Sequence, residues 1–312
     1  MRKRVDPAAS AGHGHTHRVS AASDWRPLAG ALALLVVFLL VEVVVALVSG
    51  SLALLSDAGH MLSDVGAIAA ALWAMRLARR PFTGAWTFGW KRAEILSAAG
   101  NGVTLLLISG VVGYEAVRRL LAPPEVAGGP VLVVAVAGVG VNIAAAWMVA
   151  KANRTSLNVE GAYQHILTDL YGFLGTVVAA VVIITTGWTR ADPLASLVVV
   201  GLMLRAAWGL LRDSGRILLE AAPDGVDLAE IRRHLMRNEH VHDVHDLHVW
   251  TVTSSMPTLS AHVVVDDSCF SDGHAPQLLD ELQDCVASHF AMEHCTLQLE
   301  PRSHAAHELE GH

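Results

Sequence analysis

His60 and His165 are the only histidines in residues 28–212 of this 312-residue chain, and each is followed four residues on by an aspartate. They stand in SDAGHMLSD (His60, Asp64) and YQHILTDLYG (His165, Asp169), both within long apolar stretches. A spacing of i, i+4 puts both side chains of a pair on one helix face, one turn apart. Two such helices packed face to face offer two imidazole nitrogens and two carboxylate oxygens. That is a closed tetrahedral set suited to Zn2+ at about 2.0–2.2 Å. One such pair alone reads equally well as an interhelical hydrogen bond. Its repetition in a second apolar segment favours a metal site, because ionisable groups at bilayer depth are costly and tend to be functional. Mg2+ and Ca2+ prefer all-oxygen ligands, whereas imidazoles favour Zn2+, Cd2+, Co2+ or Ni2+. Imidazole binds metal only when neutral, so loading releases protons and protonation ejects the ion. A site open alternately to two compartments would therefore exchange metal for protons.

The elements that must position these pairs are membrane spans. The chain is 53% hydrophobic and only 16% charged, against about 25% charged in soluble domains. The apolar excess is confined to 28–212, where six spans are predicted at about 28–48, 52–77, 93–118, 130–150, 160–186 and 192–211. Each is about long enough to cross a 30 Å hydrocarbon core. Arg2, Lys3, Arg4, Arg18 and Arg26 precede the first span; Arg76, Arg79, Arg80, Lys91 and Arg92 fall between spans 2 and 3, and Lys151 and Arg154 between 4 and 5. Only Arg118, Arg119 and Arg190 oppose them. This asymmetry predicts a multi-pass protein of the cell (cytoplasmic) membrane with both termini in the cytoplasm.

Residues 213–312 carry 18 Asp/Glu against 5 Lys/Arg, a formal −13 in a chain of −7 overall. That charge excludes a nucleic-acid binder, which concentrates basic residues. Cys269, Cys285 and Cys295 have no CxxC spacing and are odd in number, which disfavours a disulfide framework or a Cys-rich zinc site. Asp227 caps a helix to about Asn238; Val241–Val252 and Thr258–Val265 read as strands, 276–291 as a second helix and Thr296–Glu300 as a third strand. The fold class is thus an all-α six-helix transmembrane domain followed by a small α+β domain of order αββαβ, with helices on one sheet face. Four segments result: a His-containing arm at 1–27, the transmembrane domain at 28–212, a cytoplasmic domain at 213–301 and a disordered tail at 302–312. In HDVHDLHVW, a regular strand would turn His242 and Val244 to one face and Asp243 and His245 to the other. His262 on the next strand could then approach His245 across the ladder. Gly12-His13-Gly14-His15-Thr16-His17 reads as a flexible metal collector.

The stretches SLALLSDAGHMLSDVGAIAAALWAMRLARRP, FGWKRAEILSAAGNGVTLL and GAYQHILTDLYGFLG resemble the cation diffusion facilitator family, specifically its bacterial zinc/cadmium/cobalt exporters. The similarity covers roughly 28–301. It implies a homodimeric six-span antiporter that moves Zn2+, with Cd2+ and Co2+ next, out of the cytoplasm in exchange for H+. His60, Asp64, His165 and Asp169 would form its transport site. It also implies a ferredoxin-like cytoplasmic domain whose own site, taking Zn2+ as a regulatory ligand, matches at His245, His262 and Glu300, completed by His294 or Glu293. The metal site that some relatives carry between spans 2 and 3 is not expected, because RLARRPFTGAWTFGWKR has neither His nor Asp. A membrane-anchored metal sensor and an intramembrane zinc hydrolase are the rival readings. The hydrolase needs an open coordination position and a general base, and no HExxH occurs. The expectation is therefore a transporter and not an enzyme.

Overall fold

The structure is a computed structural model. It describes residues 25–49, 52–81, 83–122, 128–152, 156–254, 256–290, 292 and 294–305, with side chains for all of these except 46, 49, 52–60, 63, 128–131 and 305. The His arm lies almost wholly outside the described residues, as does the tail beyond 305.

Six long helices come first: α1 (Trp25–Ser49), α2 (Leu52–Ala78), α3 (Ala93–Leu121), α4 (Gly128–Val149), α5 (Leu157–Thr186) and α6 (Ala191–Leu218). Among the described residues, five stretches are long and apolar enough to cross a membrane: Trp25–Val45, Ala93–Leu121, Leu132–Val149, Leu157–Thr186 and Ala191–Leu218. Their outward faces carry exposed Leu40, Val44, Val111, Tyr114, Val198 and Trp208. So extensive an apolar surface is tolerated against lipid and not against water. The chain is a multi-pass membrane protein. The helices all outrun their sequence-predicted spans at one end or both, α6 by the most. α5 starts early because Ser156 caps it, its hydroxyl accepting from Val159 N, and α6 runs on to Leu218.

Inside, Leu28, Leu35, Ile68, Val149, Val159 and Ile166 fuse α1, α2, α4 and α5 into one core. A second cluster, Leu105, Met203, Ala207 and Leu210, joins α3 to α6. The α4–α5 seam is close enough that a Cβ on Gly138 would meet the Phe173 ring at 2.5 Å. Glycine there lets the two helices approach. Asn158 on α5 donates to the Ala71 carbonyl of α2 at 2.8 Å and fixes their relative height.

The chain then forms α7 (Leu228–Leu235), β1 (Val241–Thr251), β2 (Pro257–Val265), α8 (Ser268–Ser271), α9 (Ala275–Phe290), β3 (His294–Pro301) and α10 (Arg302–Ala305). β1 and β2 are antiparallel, β2 and β3 parallel across the α9 crossover, and β2 is central. Ile231 and Leu235 of α7 and Leu278, Leu282 and Val286 of α9 repeat at helical spacing. They pack on Leu259, Ala261, Val263 and Val265, one face of β2. His262, between Ala261 and Val263, therefore belongs to the opposite face. β1 is not a regular strand. Its register shifts between Val241 and Asp243 and again between His245 and His248, and Asp246 has φ 50°. Five residues separate Val244 from Val249, yet both are in the core. The irregularity between them restores the phase that strict alternation would lose.

Arg232 of α7 bonds Asp243 of β1 at 2.7 Å. That guanidinium, with the Val244 N–H, holds the Asp243 carboxyl below the usual carboxylate range. A depressed acid stabilises the fold above its unfolded value of about 4 and loses that contribution as pH falls through the folded value. Both side chains are about half exposed, so the pair is worth at most about 1 kcal/mol. We expect the thermal midpoint of the domain to be flat in this respect from pH 7 to 5 and to drop below about pH 4. Asp243→Asn should lose that part of the slope. An unchanged acid limb in differential scanning would contradict it.

Candidate metal centres

Asp64 of α2 and His165 and Asp169 of α5 converge in the bundle interior, one ligand atom of each lying within 4.8 Å of the others. The helical spacing that puts His165 and Asp169 on one face of α5 turns both toward α2. Asp64 and His165 are almost fully buried. His165 Nε2 lies 2.5 Å from Asp64 Oδ1 and 4.0 Å from Asp169 Oδ2. Among the described residues His165 Nδ1 has no hydrogen-bond partner. His60 is placed by its backbone on α2, one turn before Asp64, but its side chain lies outside the described residues, as does that of Asp57. The structure thus brings together three of the four residues read from the two pairs.

The separations carry chemistry. Two ligands on one tetrahedral zinc, each at about 2.0–2.2 Å, stand roughly 3.3 Å apart. The His165 Nε2–Asp64 Oδ1 separation is thus shorter than that between two ligands of one tetrahedral zinc.

The site borders a cavity of about 210 Å³ lined by Asp64, Asp169, Asn142, Thr168 and, farther along, Asp192 of α6. On sequence alone Asn142 could equally serve helix packing or function, and Asp192, at the start of the sixth predicted span, is not singled out. Arg119 approaches Asp192 at 3.8 Å and pairs with Glu115 at 2.9 Å. Glu115 also pairs with Arg118 at 2.9 Å.

In the α+β domain His245 faces His262 directly across the β1–β2 ladder, their ring centroids 5.2 Å apart. Glu300 of β3, 1% exposed, lies 2.7 Å from His262 Nδ1 and 3.5 Å from His245 Nε2. Gln298, which the sequence did not flag, donates to Glu300 Oε1 at 2.6 Å. Two imidazoles and one buried carboxylate suit Zn2+ with an open fourth position. His294 does not join them. It begins β3 opposite Thr258, six residues before Glu300, which is about 20 Å along an extended strand. Glu293 lies outside the described residues. Cys295 pairs with Leu259 in the register, three residues from His262 and five from Glu300, and burial pushes its thiol up to about 11. A separate surface network ties His242 and His240 to Asp266 at 2.6 and 3.3 Å, with Arg302 against His242.

The two centres are mechanically joined. Glu94, at the start of α3, accepts from Ser156 at 2.6 Å, Thr253 at 2.8 Å and Ser254 at 3.1 Å. Ser254 in turn accepts from Leu157 N at 3.1 Å. The β1–β2 connection is thereby fastened to the first turns of α3 and α5.

Comparison with known proteins follows the same division. Residues 28–219 match the family described as the cation efflux transmembrane domain, and 223–302 the cytoplasmic domain of cation efflux proteins. The zinc transporter ZitB of Escherichia coli is 41% identical over 96% of this chain and 98% of its own. The cadmium, cobalt and zinc/H(+)-K(+) antiporter of Bacillus velezensis is 37% identical over 93% of each chain. A solved structure, the metal-bound C-terminal domain of the CzcD transporter from Cupriavidus metallidurans, is 36% identical over 24% of this chain and 99% of its own, with a TM-score of 0.22.

Proposed function

Because the chain belongs to the cation efflux family, we propose that it exports Zn2+, with Cd2+ and Co2+ as further substrates, from the cytoplasm in exchange for protons. The transport site is His60, Asp64, His165 and Asp169. The observation that carries this reading is the convergence of Asp64, His165 and Asp169 within 4.8 Å of one another, with His165 and Asp64 in contact at 2.5 Å, close enough to share a proton when no ion is bound. In the cytoplasm-facing state Zn2+ displaces that proton and spreads the pair. Facing the other compartment, a proton restores the contact and the ion leaves. The relatives' names support the substrates, and one of them is called an antiporter with H(+) and K(+).

The wider arrangement belongs to the same proposal. α2 is the sixth span, and the Lys/Arg asymmetry places the arm, the domain from 213 to 301 and the tail from 302 in the cytoplasm. The α+β domain is ferredoxin-like and pairs two copies into a homodimer. His245, His262 and Glu300 take Zn2+ there as a regulatory ligand. Two copies of the 213–312 region, formal −13 each, repel, and bound divalent ions offset part of that.

The test is zinc flux in proteoliposomes holding the full chain, with and without an imposed pH gradient. Flux should rise when the trans side is acidified, and interior pH should rise as zinc enters, because each ion taken up is exchanged for protons released. Zinc movement indifferent to the gradient, and unaccompanied by proton movement, would remove the exchange mechanism.

A further inference from the structure

The cavity beside the transport site is one-sided in its chemistry. Thr168 Oγ1 donates to Gln164 O at 2.8 Å, Thr176 Oγ1 to Gly172 O at 3.0 Å and Ser196 Oγ to Asp192 O at 3.1 Å. Asn142 Nδ2 donates to Gly138 O at 3.1 Å, which fixes the orientation of that amide. Every one of these groups lines the cavity with a donor committed to its own helix, the hydroxyls with the single donor they have. What remains to face the space is mostly oxygen lone pairs, beside the second N–H of Asn142. Asn142 Oδ1 is the clearest case: the residue is 1% exposed and the atom has no hydrogen-bond partner among the described residues. A buried carbonyl oxygen left in that state costs about 1–3 kcal/mol unless something fills the space beside it. Asp64, Asp169 and Asp192 add three carboxylates to the same wall. Such a lining attracts a cation and its water and repels anions.

The cavity also has a direction. α3 meets the α+β domain at Glu94, and 25 residues on, about 37 Å along the helix, Arg119 approaches Asp192. Asp192 is in the first turn of α6, whose other end leads into the domain. It therefore stands at the end of the bundle away from the domain, whereas Asp64 and Asp169 lie at middle depth.

From this placement we propose that Asp192 is a second cation station, on the route by which the ion leaves the transport site for the far compartment. The oxygens of Asn142, Thr176 and Ser196 carry the partly hydrated ion between the two. Arg119 occupies the Asp192 carboxylate when no ion is there, and the arriving divalent cation displaces it. The inference rests on the transport reading above and adds to it a residue outside the two His/Asp pairs.

The experiment compares Asp192→Asn and Arg119→Gln with the parent full chain, measuring zinc flux in proteoliposomes and equilibrium zinc binding in detergent. Asp192→Asn should lower flux about ten-fold, the lower end of what a charge-lined cleft contributes to ion traffic. Its zinc affinity at the central site should stay within about two-fold of the parent, which also shows that the variant is folded. Arg119→Gln should keep or raise flux. Parent-like flux in Asp192→Asn would overturn the proposal. Equal slowing in both variants would also overturn it, because the carboxylate would then serve only to tie α3 to α6. Loss of zinc binding in Asp192→Asn would do the same by making Asp192 part of the central site or of the fold. A parent chain that moves no zinc at all would instead remove the transport reading, and that result is separately visible.

Discussion

Asp64→Asn is expected to reduce zinc flux by roughly two to three orders of magnitude. At about 1.4 kcal/mol per factor of ten, that corresponds to about 2.8–4.2 kcal/mol of lost stabilisation of the ion in transit. The substitution preserves shape and keeps a hydrogen bond to His165 available. It takes away the anionic oxygen that a divalent ion needs once it has left water. The same variant should remain as stable as the parent, or become more so, because a carboxylate 3% exposed costs desolvation in the empty protein. Flux and thermal stability are therefore predicted to move in opposite senses. A merely structural hydrogen bond between α2 and α5 predicts the reverse: modest loss of stability and near-normal flux. Zinc uptake per incorporated protein, read beside a detergent melting curve, separates the two. Flux within two-fold of the parent would reduce the His165–Asp64 contact to helix packing.

Glu94→Ala should release the α+β domain from the helices. One carboxylate accepts from Ser156, Thr253 and Ser254, and hydrogen bonds to a charged group are worth about 1.5–3 kcal/mol each. They share one acceptor, so the loss is not their sum. We expect about 1.5–3 kcal/mol less coupling, seen as hydrogen exchange faster by roughly ten- to a hundred-fold at 252–254 and 256 and in the first turn of α5. Arg92–Glu220 at 2.9 Å and Lys91 Nζ to Met256 Sδ at 3.0 Å remain, so the domain should stay attached though less firmly. Glu94→Gln, which retains one acceptor oxygen, should fall between. The consequence reaches the transport site because Ser156 caps the helix that carries His165 nine residues later. Unaltered exchange in Glu94→Ala would show that the junction is held elsewhere.

Some of this was legible in local spacing. His165 and Asp169 share a face because four residues make about one helical turn, and a histidine among apolar residues marks itself by its cost. The antiparallel hairpin put His245 opposite His262 because residues of one strand face alternate with those of the other. Where local regularity failed, so did the reading. β1 contains a register shift that no residue in HDVHDLHVW announces, and His294 was assigned to a cluster that the length of β3 puts out of its reach. The partners of Glu94 and the place of Asp192 were not legible for a different reason. The partners of Glu94 lie 62, 159 and 160 residues away, and Asp192 joins the cavity only because α6 lies along α3 and α5.

The sequence by itself determined the division into greasy helices and an acidic domain, the repeated His/Asp pairs and the metals their nitrogens and oxygens prefer. These follow from composition and from intervals of two and four residues, which backbone geometry converts directly into shared faces. Only the tertiary structure decided which faces meet. It brought His165 Nε2 within 2.5 Å of Asp64 Oδ1. It gathered hydroxyls, the Asn142 amide and three carboxylates along one cavity ending at Asp192. It also fastened the α+β domain to α3 and α5 through Glu94, beside the Arg92–Glu220 and Lys91–Met256 contacts. Those are contacts between segments far apart in the chain, fixed by how whole helices pack, and no local pattern encodes them.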